Sequence, residues 1–149
     1  MAKLPSFSTG LRDAVFDGTD WTNMWDGGEL RIYDDSGTRP ANADATEAGG
    51  GTVLATITLP TPAFAASASG GAIAKAGTWQ DASADATGTA DWFRMYDSAV
   101  TTGASTTAIR MDGTVGLNTG TFDMEFDNIA FTAADPITID TFSVSIPLV

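Results

Sequence analysis

The clearest alternation of apolar and polar positions runs from Thr52 to Leu59. Val53, Ala55, Ile57 and Leu59 fall on one face, and Thr52, Thr56 and Thr58 on the other. Side chains two apart on a strand point the same way, so this spacing predicts a half-buried strand, stopped by Pro60 and Pro62. Glu29 to Asp34 reads as another strand, ended by the turn Asp34-Asp35-Ser36-Gly37. Thr87 to Asp97 is predicted as a long strand and Ala72 to Trp79 as a weak one. Ile109 to Met111 and Thr114 to Leu117 flank Asp112-Gly113, a pair that predicts a tight hairpin turn. From Thr121 to Asp127, Phe122, Met124 and Phe126 alternate with Asp123, Glu125 and Asp127, and the phase changes near Asn128. In the last apolar run, Ile137 and Ile139 are out of phase with Phe142, Val144 and Ile146, which predicts a bulge near Asp140.

One segment has helical spacing instead. Within residues 6–17, Leu11, Ala14, Val15 and Phe16 share a face, with Ser8 or Thr9 as the cap and Gly18 as the stop. A short helical turn follows over Trp21 to Trp25. Residues 38–51, with Pro40, Asn42, Asp44 and three consecutive glycines, read as an exposed loop; residues 63–71, 80–85 and 98–107 read as connections. About seven short strands with regular turn punctuation predict a mainly β fold, a β-sandwich or jelly roll with a short N-terminal helix; a partly closed barrel is the other closure. The expected organisation is an N-terminal helical anchor segment, 1–27, joined to a β-sandwich domain, 28–149, in one unit.

Two strands repeat a pattern. Leu30-Arg31-Ile32-Tyr33-Asp34 and Phe93-Arg94-Met95-Tyr96-Asp97 both read apolar-Arg-apolar-Tyr-Asp. Either these are ordinary half-buried strands, or Arg31, Tyr33, Arg94 and Tyr96 form amphipathic stripes at a contact surface, where both residue types are enriched. Trp92 lies inside a strong strand and reads as core. Trp21 and Trp25 pin the helix to the sandwich on one reading and form an exposed contact on the other.

Composition narrows the chemistry. The 149 residues carry 19 acidic and 7 basic side chains, a formal charge of −12. With no cationic cluster to displace counterions, neither a nucleic acid nor an anionic membrane is expected as a partner. There is no cysteine and no histidine. Disulfides, thiol nucleophiles and the commonest general base and zinc ligand are thereby excluded. The start, Met1-Ala2-Lys3-Leu4-Pro5, shows no apolar signal region, so folding in a cytoplasm is expected. Asp123, Glu125 and Asp127 invite comparison with a calcium site. Alternate side chains on a strand lie about 6.8 Å apart, too far for one strand to form the cage, so a solvated strand face is expected. No pair among the many carboxylates is singled out as a hydrolytic pair, and Gly49-Gly50-Gly51 and Gly70-Gly71 lack the Gly-Lys-Ser/Thr of a phosphate loop. No catalytic residue, cofactor or metal site is expected.

A series of stretches resembles a family of small structural proteins of tailed-bacteriophage virions. It comprises Leu11-Arg12-Asp13-Ala14-Val15, Gly28-Glu29-Leu30-Arg31-Ile32-Tyr33 leading to Pro40, and Leu54-Ala55-Thr56-Ile57-Thr58-Leu59 with Pro62-Ala63-Phe64. Gly88-Thr89-Ala90-Asp91-Trp92-Phe93-Arg94 with Asp97-Ser98, and Met111-Asp112-Gly113-Thr114-Val115-Gly116 with Leu117-Asn118-Thr119, complete it. The resemblance runs from about Leu11 to Ile146; the Thr38–Gly51 loop and the acidic Phe122–Phe126 strand depart from it. It implies a virion part assembled in a host cytoplasm, a head decoration (cement) protein first. Its expected partners are the major capsid protein or other virion proteins and further copies of itself, as a trimer, with the N-terminal segment carrying Trp21 and Trp25 as the anchor. The alternative it leaves is a minor tail, collar or fibre-associated protein that binds a host surface or glycan.

Overall fold

The computed structural model describes residues 5–66 and 70–145. Its centre is an antiparallel sheet in the order β1-β7-β6-β2-β3, formed by β1 (Ser6–Phe7), β7 (Arg110–Leu117), β6 (Gly88–Tyr96), β2 (Glu29–Asp34) and β3 (Val53–Thr58). Two short strands join its flanks: β8 (Met124–Phe126) runs parallel to β7, and β9 (Ala130–Phe131) pairs antiparallel with β6. Two further ladders stand apart, β5 (Trp79–Asp81) with β10 (Ile137–Ile139) and β4 (Ala72–Ala74) with β11 (Ser143–Ser145). The fold is therefore mainly β with a short N-terminal helix, as the spacing predicts. The second layer consists of two ladders in place of one sheet.

Pleating assigns each side chain of the main sheet to a face. Leu30, Ile32, Ala55, Ile57, Phe93, Met95, Met111 and Val115 fall on one face, all buried in a single apolar core. Aromatic rings from the second layer close over them. The Phe142 ring meets Phe93 edge-on at 5.8 Å and Trp79 at 5.5 Å, and Phe64 meets Trp79 edge-on at 5.4 Å. Gly113 lies opposite Phe93 on this face, and a Cβ there would overlap the Phe93 ring, so the glycine makes room for the aromatic side chain.

α1 (Thr9–Phe16) starts at Ser8, whose Oγ accepts from the Leu11 N–H at 3.1 Å and donates to the Ala108 carbonyl at 2.7 Å. The same Oγ accepts from the Arg110 N–H, so one hydroxyl caps the helix and fastens it to β7. Gly18, at φ 84, ends the helix in the left-handed conformation that a Cβ disfavours. α2 (Trp21–Met24) follows, capped by Asp20. β1 pairs with β7, and Leu11, Met24 and Trp25 sit in the same core as the main sheet. As far as it is described, segment 1–27, the expected anchor joined to the sandwich in one unit, contributes β1 to the main sheet and Leu11, Met24 and Trp25 to its core.

Several expectations need correction. Asp112-Gly113 is no hairpin turn: both residues lie inside the continuous strand β7, and both are buried. Arg110, Asp112 and Thr114 alternate with Met111, Gly113 and Val115, and that period continues the strand through the turn-favouring pair. The alternating run 121–127 yields only the short strand β8. Asp123 instead turns to β7 and accepts from the Thr114 N–H and hydroxyl at 2.8 and 2.9 Å. Glu125 Oε1 accepts the Thr121 and Phe122 N–H groups. These two carboxylates hold the short return, residues 118–123, that lets β8 run parallel to the strand it follows; they do not form one solvated face. The predicted weak strand 72–79 is two strands, β4 and β5, in different ladders. The last run breaks near Asp140 into β10 and β11, and Ile146 lies outside the described residues. Leu54, placed on no face by the alternation, is the extra residue at the register shift between Ile32 and Tyr33 and is buried.

Candidate functional site: a closed polar face and an open apolar groove

The six residues singled out as contact candidates separate sharply. β2 and β6 are neighbours, so the repeated pattern places Arg31 directly opposite Arg94, Tyr33 opposite Trp92 and Glu29 opposite Tyr96 on the second face of the main sheet. Arg94 forms a bidentate ion pair with Asp112 on the next strand, Nε to Oδ1 at 2.6 Å and Nη2 to Oδ2 at 2.7 Å. Its Nη1 donates to the Ala45 carbonyl at 2.9 Å and to Glu47 at 3.2 Å. Tyr33 stacks flat on Trp92 with centroids 4.1 Å apart, its hydroxyl 3.4 Å from that of Tyr96. Arg31 pairs with Glu29 and lies over the Tyr96 ring.

This face is roofed by the loop predicted as exposed. Trp92 Nε1 donates to the Gly50 carbonyl at 2.6 Å. Arg110, also fully buried, donates to the carbonyls of Gly103 and Ser105 at 2.6 and 2.9 Å, while its Nε has no partner among the described residues. Glu47 accepts from the Gly103 N–H, and the Ser105 N–H donates to the Asp44 carbonyl, joining loop 38–51 to loop 98–107. Asp44 in turn accepts from the Thr9 N–H and hydroxyl at 2.7 and 2.6 Å, and the Ala43 N–H donates to Ser6. At the loop's base Asp34 accepts from Ser36 and from the Thr52 N–H. The loop lacks secondary structure because its backbone carbonyls satisfy two buried guanidinium groups instead of a ladder.

The electrostatics follow from this enclosure. Burial disfavours the charged form of Arg94, but the Asp112 carboxylate outweighs it and raises the guanidinium above its ordinary value. Arg110 has no carboxylate in salt-bridge contact among the described residues; burial and the neighbouring Arg94 charge lower it. Burial, and the hydroxyl contact with Tyr33, push Tyr96 well above the usual tyrosine range. Burial would raise Asp34 and Asp44, but donors from Ser36 and Thr52, and from Thr9, hold both below the usual carboxylate range.

Tyr33, Arg94 and Tyr96 are therefore enclosed within the chain, as is Trp25, and none presents a side chain to an outside partner. Their alternation marks a second buried face, which the reading of a solvent-facing stripe missed. Arg31 and Trp21 remain partly exposed. The residues that organise the cluster but were not singled out are Asp112, Arg110 and Glu47. Arg110-x-Asp112, in phase with each other and out of phase with Met111, is the signal for the first two; Glu47, in an irregular loop, had none.

Three of the five large hydrophobic side chains exposed among the described residues gather elsewhere, in one place. Phe16 is 87% exposed, Val15 46% and Phe7 38%. With Leu11, Trp21, Ile73 and Val144 they line a groove of about 400 Å³ between α1 and the β4–β11 ladder. Trp21 links this groove to the core, packing edge-on against Trp25 at 5.4 Å and Phe64 at 6.1 Å. Amphipathic spacing turned Leu11 inward; Val15 and Phe16, on the same predicted face, reach past the core edge and have no cover among the described residues. A larger and more polar cleft, about 560 Å³, opens between the 118–125 region and β11, lined among others by Lys75, Phe122, Asp123, Glu125 and Thr141.

A scan against protein-family models finds no match, and neither the curated proteins nor the solved structures yield one.

Proposed function

We propose that this chain is a structural component of a tailed-phage virion, a head decoration protein that binds the outer capsid lattice and stabilises it. The observation that carries the reading is the apolar groove on the N-terminal segment, beside an otherwise acidic exterior. Contiguous exposed apolar surface on a soluble chain marks a contact site. In support, the richest cluster of ionisable and aromatic groups is used internally to fasten two loops to the sheet, which suits a rigid building block. Modest contacts at such a groove, repeated over a lattice, would sum to a large stabilisation. The partners in this reading are the major capsid protein and other virion proteins, with further copies of the chain as neighbours on the lattice. To test it, purified particles are separated into heads and tails and the chain is quantified by mass spectrometry. Recovery with heads in hundreds of copies is the expected result; recovery with tails alone ends the head assignment.

The second reading, a tail or fibre-associated protein that binds glycan, has its own observation. Phe122, 42% exposed, stands in the polar cleft beside Lys75 and Thr141, an aromatic surface with hydrogen-bonding groups around it. Trp25, expected beside Trp21 in such a platform, is buried and does not serve. Glycan binding that disappears in Phe122→Ala would favour this reading over the first.

A further inference from the structure

The hydrogen-bond phase of the β4–β11 ladder fixes which way each backbone group of β11 points. The Lys75 N–H donates to the Phe142 carbonyl at 2.8 Å, and the register continues with Ser143 opposite Ala74, Val144 opposite Ile73 and Ser145 opposite Ala72. Hydrogen-bonded and non-hydrogen-bonded pairs alternate along an antiparallel ladder. Phe142 and Val144 therefore bond to β4, and the N–H and C=O groups of Ser143 and Ser145 point away from it. Neither serine has a backbone partner on that side among the described residues, and both are exposed. Ser143, Val144 and Ser145 carry no charge, no proline and no break in register, the devices that usually guard an open strand edge.

The edge of β8 is the contrast. The Asn118 N–H donates to the Phe126 carbonyl, which in a parallel pair turns Met124 and Phe126 toward β7 and leaves Glu125 as the one outward backbone. That edge is shorter and carries a charge. Between the two edges opens the polar cleft, lined by Ser143 and by three carboxylates, Asp123, Glu125 and Asp140. The single cation lining it, Lys75, is already engaged: it donates to the Gly77 carbonyl at 2.9 Å and lies over the Trp79 ring.

We infer that β11 receives an extended segment of a different protein as an added strand, with lysine or arginine among the side chains beside the cleft. The outward N–H and C=O groups of Ser143 and Ser145 select an extended backbone, since only a strand presents donors and acceptors at their spacing. The carboxylates on the cleft's own walls select the cation. A second copy, with 19 acidic against 7 basic side chains, would bring like charge to the same place. The contact is separate from the apolar groove, which Val144 lines from the other side. The head-and-tail fractionation bears on the virion assignment alone; the strand edge is judged on the isolated chain.

The probe is a short labelled peptide of alternating valine and lysine, with two twins, one N-methylated at the valines and one at the lysines. A third peptide carries glutamate for each lysine. Anisotropy follows binding, and backbone amide exchange locates it. Only alternate N–H groups of an added strand face β11, so one methylated twin is expected to bind like the parent and the other at least about tenfold more weakly. The glutamate peptide is expected to fail, and exchange to slow at Ser143 and Ser145. Ser143→Pro removes an outward N–H that the β4 ladder does not use, and should weaken binding at least about tenfold. Ser143→Thr keeps the backbone and should bind as the wild type does. Near-UV circular dichroism checks the packing of both variants; should Ser143→Pro fail to fold, the methylated twins decide the matter on the wild-type chain.

Equal weakening of both methylated twins, or of neither, overturns the inference, as does failure of the parent peptide to bind. Exchange slowed at Glu125 but not at Ser143 and Ser145 would assign the segment to β8. Glutamate-peptide binding as tight as that of the lysine peptide contradicts the cationic partner. Self-association of the wild-type chain in sedimentation equilibrium, lost in Ser143→Pro, would assign the edge to a second copy and contradict it too.

Discussion

On one face of the main sheet Leu30, Ile32, Phe93, Met95 and Met111 meet the rings of Phe142, Trp79 and Phe64. On the other, Arg94, Arg110, Tyr33, Trp92 and Tyr96 meet the backbone of two loops. Both faces are buried, but their covers are held differently. Apolar contact is non-directional and grows with the area removed from water, so the first cover tolerates small displacements and rewards volume. The second depends on donors and acceptors in fixed directions. A guanidinium offers five N–H groups in one plane, and each one left unpaired in the interior has a cost. The sheet is thus closed on both sides although regular elements cover only one of them. The polar face uses the carbonyls of otherwise irregular segments as its partner layer.

The largest expected effect separates these two modes. Asp112→Ala leaves Arg94 buried without its carboxylate and should cost about 3–5 kcal/mol in denaturant unfolding. Arg94→Met combined with Asp112→Leu should cost less than Asp112→Ala alone, because no fully buried charge is left without its partner and the Glu47 carboxylate, which loses Arg94, still reaches solvent. On the apolar face Phe93→Ala should cost a similar amount, about 3–5 kcal/mol, with no second-site change on the polar face relieving it. If Arg94→Met with Asp112→Leu were worse than the sum of its single changes, the polar face would be a packed core like the other, and the distinction would fail.

A smaller effect is expected at Gly113, which lies opposite Phe93 on the neighbouring strand. Gly113→Ala pushes a methyl group into the Phe93 ring and should cost about 1–3 kcal/mol, read from the same unfolding curves.

The acid limb of stability should report the polar face. The folded values of Asp34 and Asp44 lie below that of an unfolded aspartate, about 4, so their contribution is complete above that pH and is lost as pH falls through the folded values. Asp97 has the opposite sign: burial raises it, so its protonation on acidification favours the folded chain and offsets part of the loss. Unfolding midpoints should therefore stay level down to about pH 4–5 and then fall. Asp34→Asn should flatten that fall, and an unchanged slope would contradict the role given to the loop's base.

The smallest effect is at the groove. Val15→Ser and Phe16→Ser remove side chains that already meet solvent, and each should change stability by no more than about 0.5 kcal/mol.

Alternation alone carried much of this. It placed β2, β3 and β6 within a residue or two, because each strand's apolar set sits on one covered face. Ser8 and Gly18 marked the ends of α1 because capping chemistry is local. The polar face was illegible for a physical reason: Arg94, Tyr33 and Tyr96 look like solvent-facing residues until the carbonyls of 42–51 and 101–105, distant in sequence, are brought over them. Asp112-Gly113 misled for a related reason. A buried ion pair with β6, and the need for space beside Phe93, determine those two residues more strongly than turn propensity does. The groove was half visible, since the helix's apolar face was read correctly, but its width beyond the core depends on where β4 and β11 lie.

In the proposed virion role, the polar face is closed by the chain's own loops and the groove along α1 is where another protein is met. Backbone amide exchange, compared between the free chain and the chain assembled on particles, addresses both parts at once. Slowed exchange on assembly across 9–21, 71–75 and 143–145, with loops 38–51 and 98–107 unchanged, is the predicted result. Slowing in those two loops with α1 unaffected would contradict it.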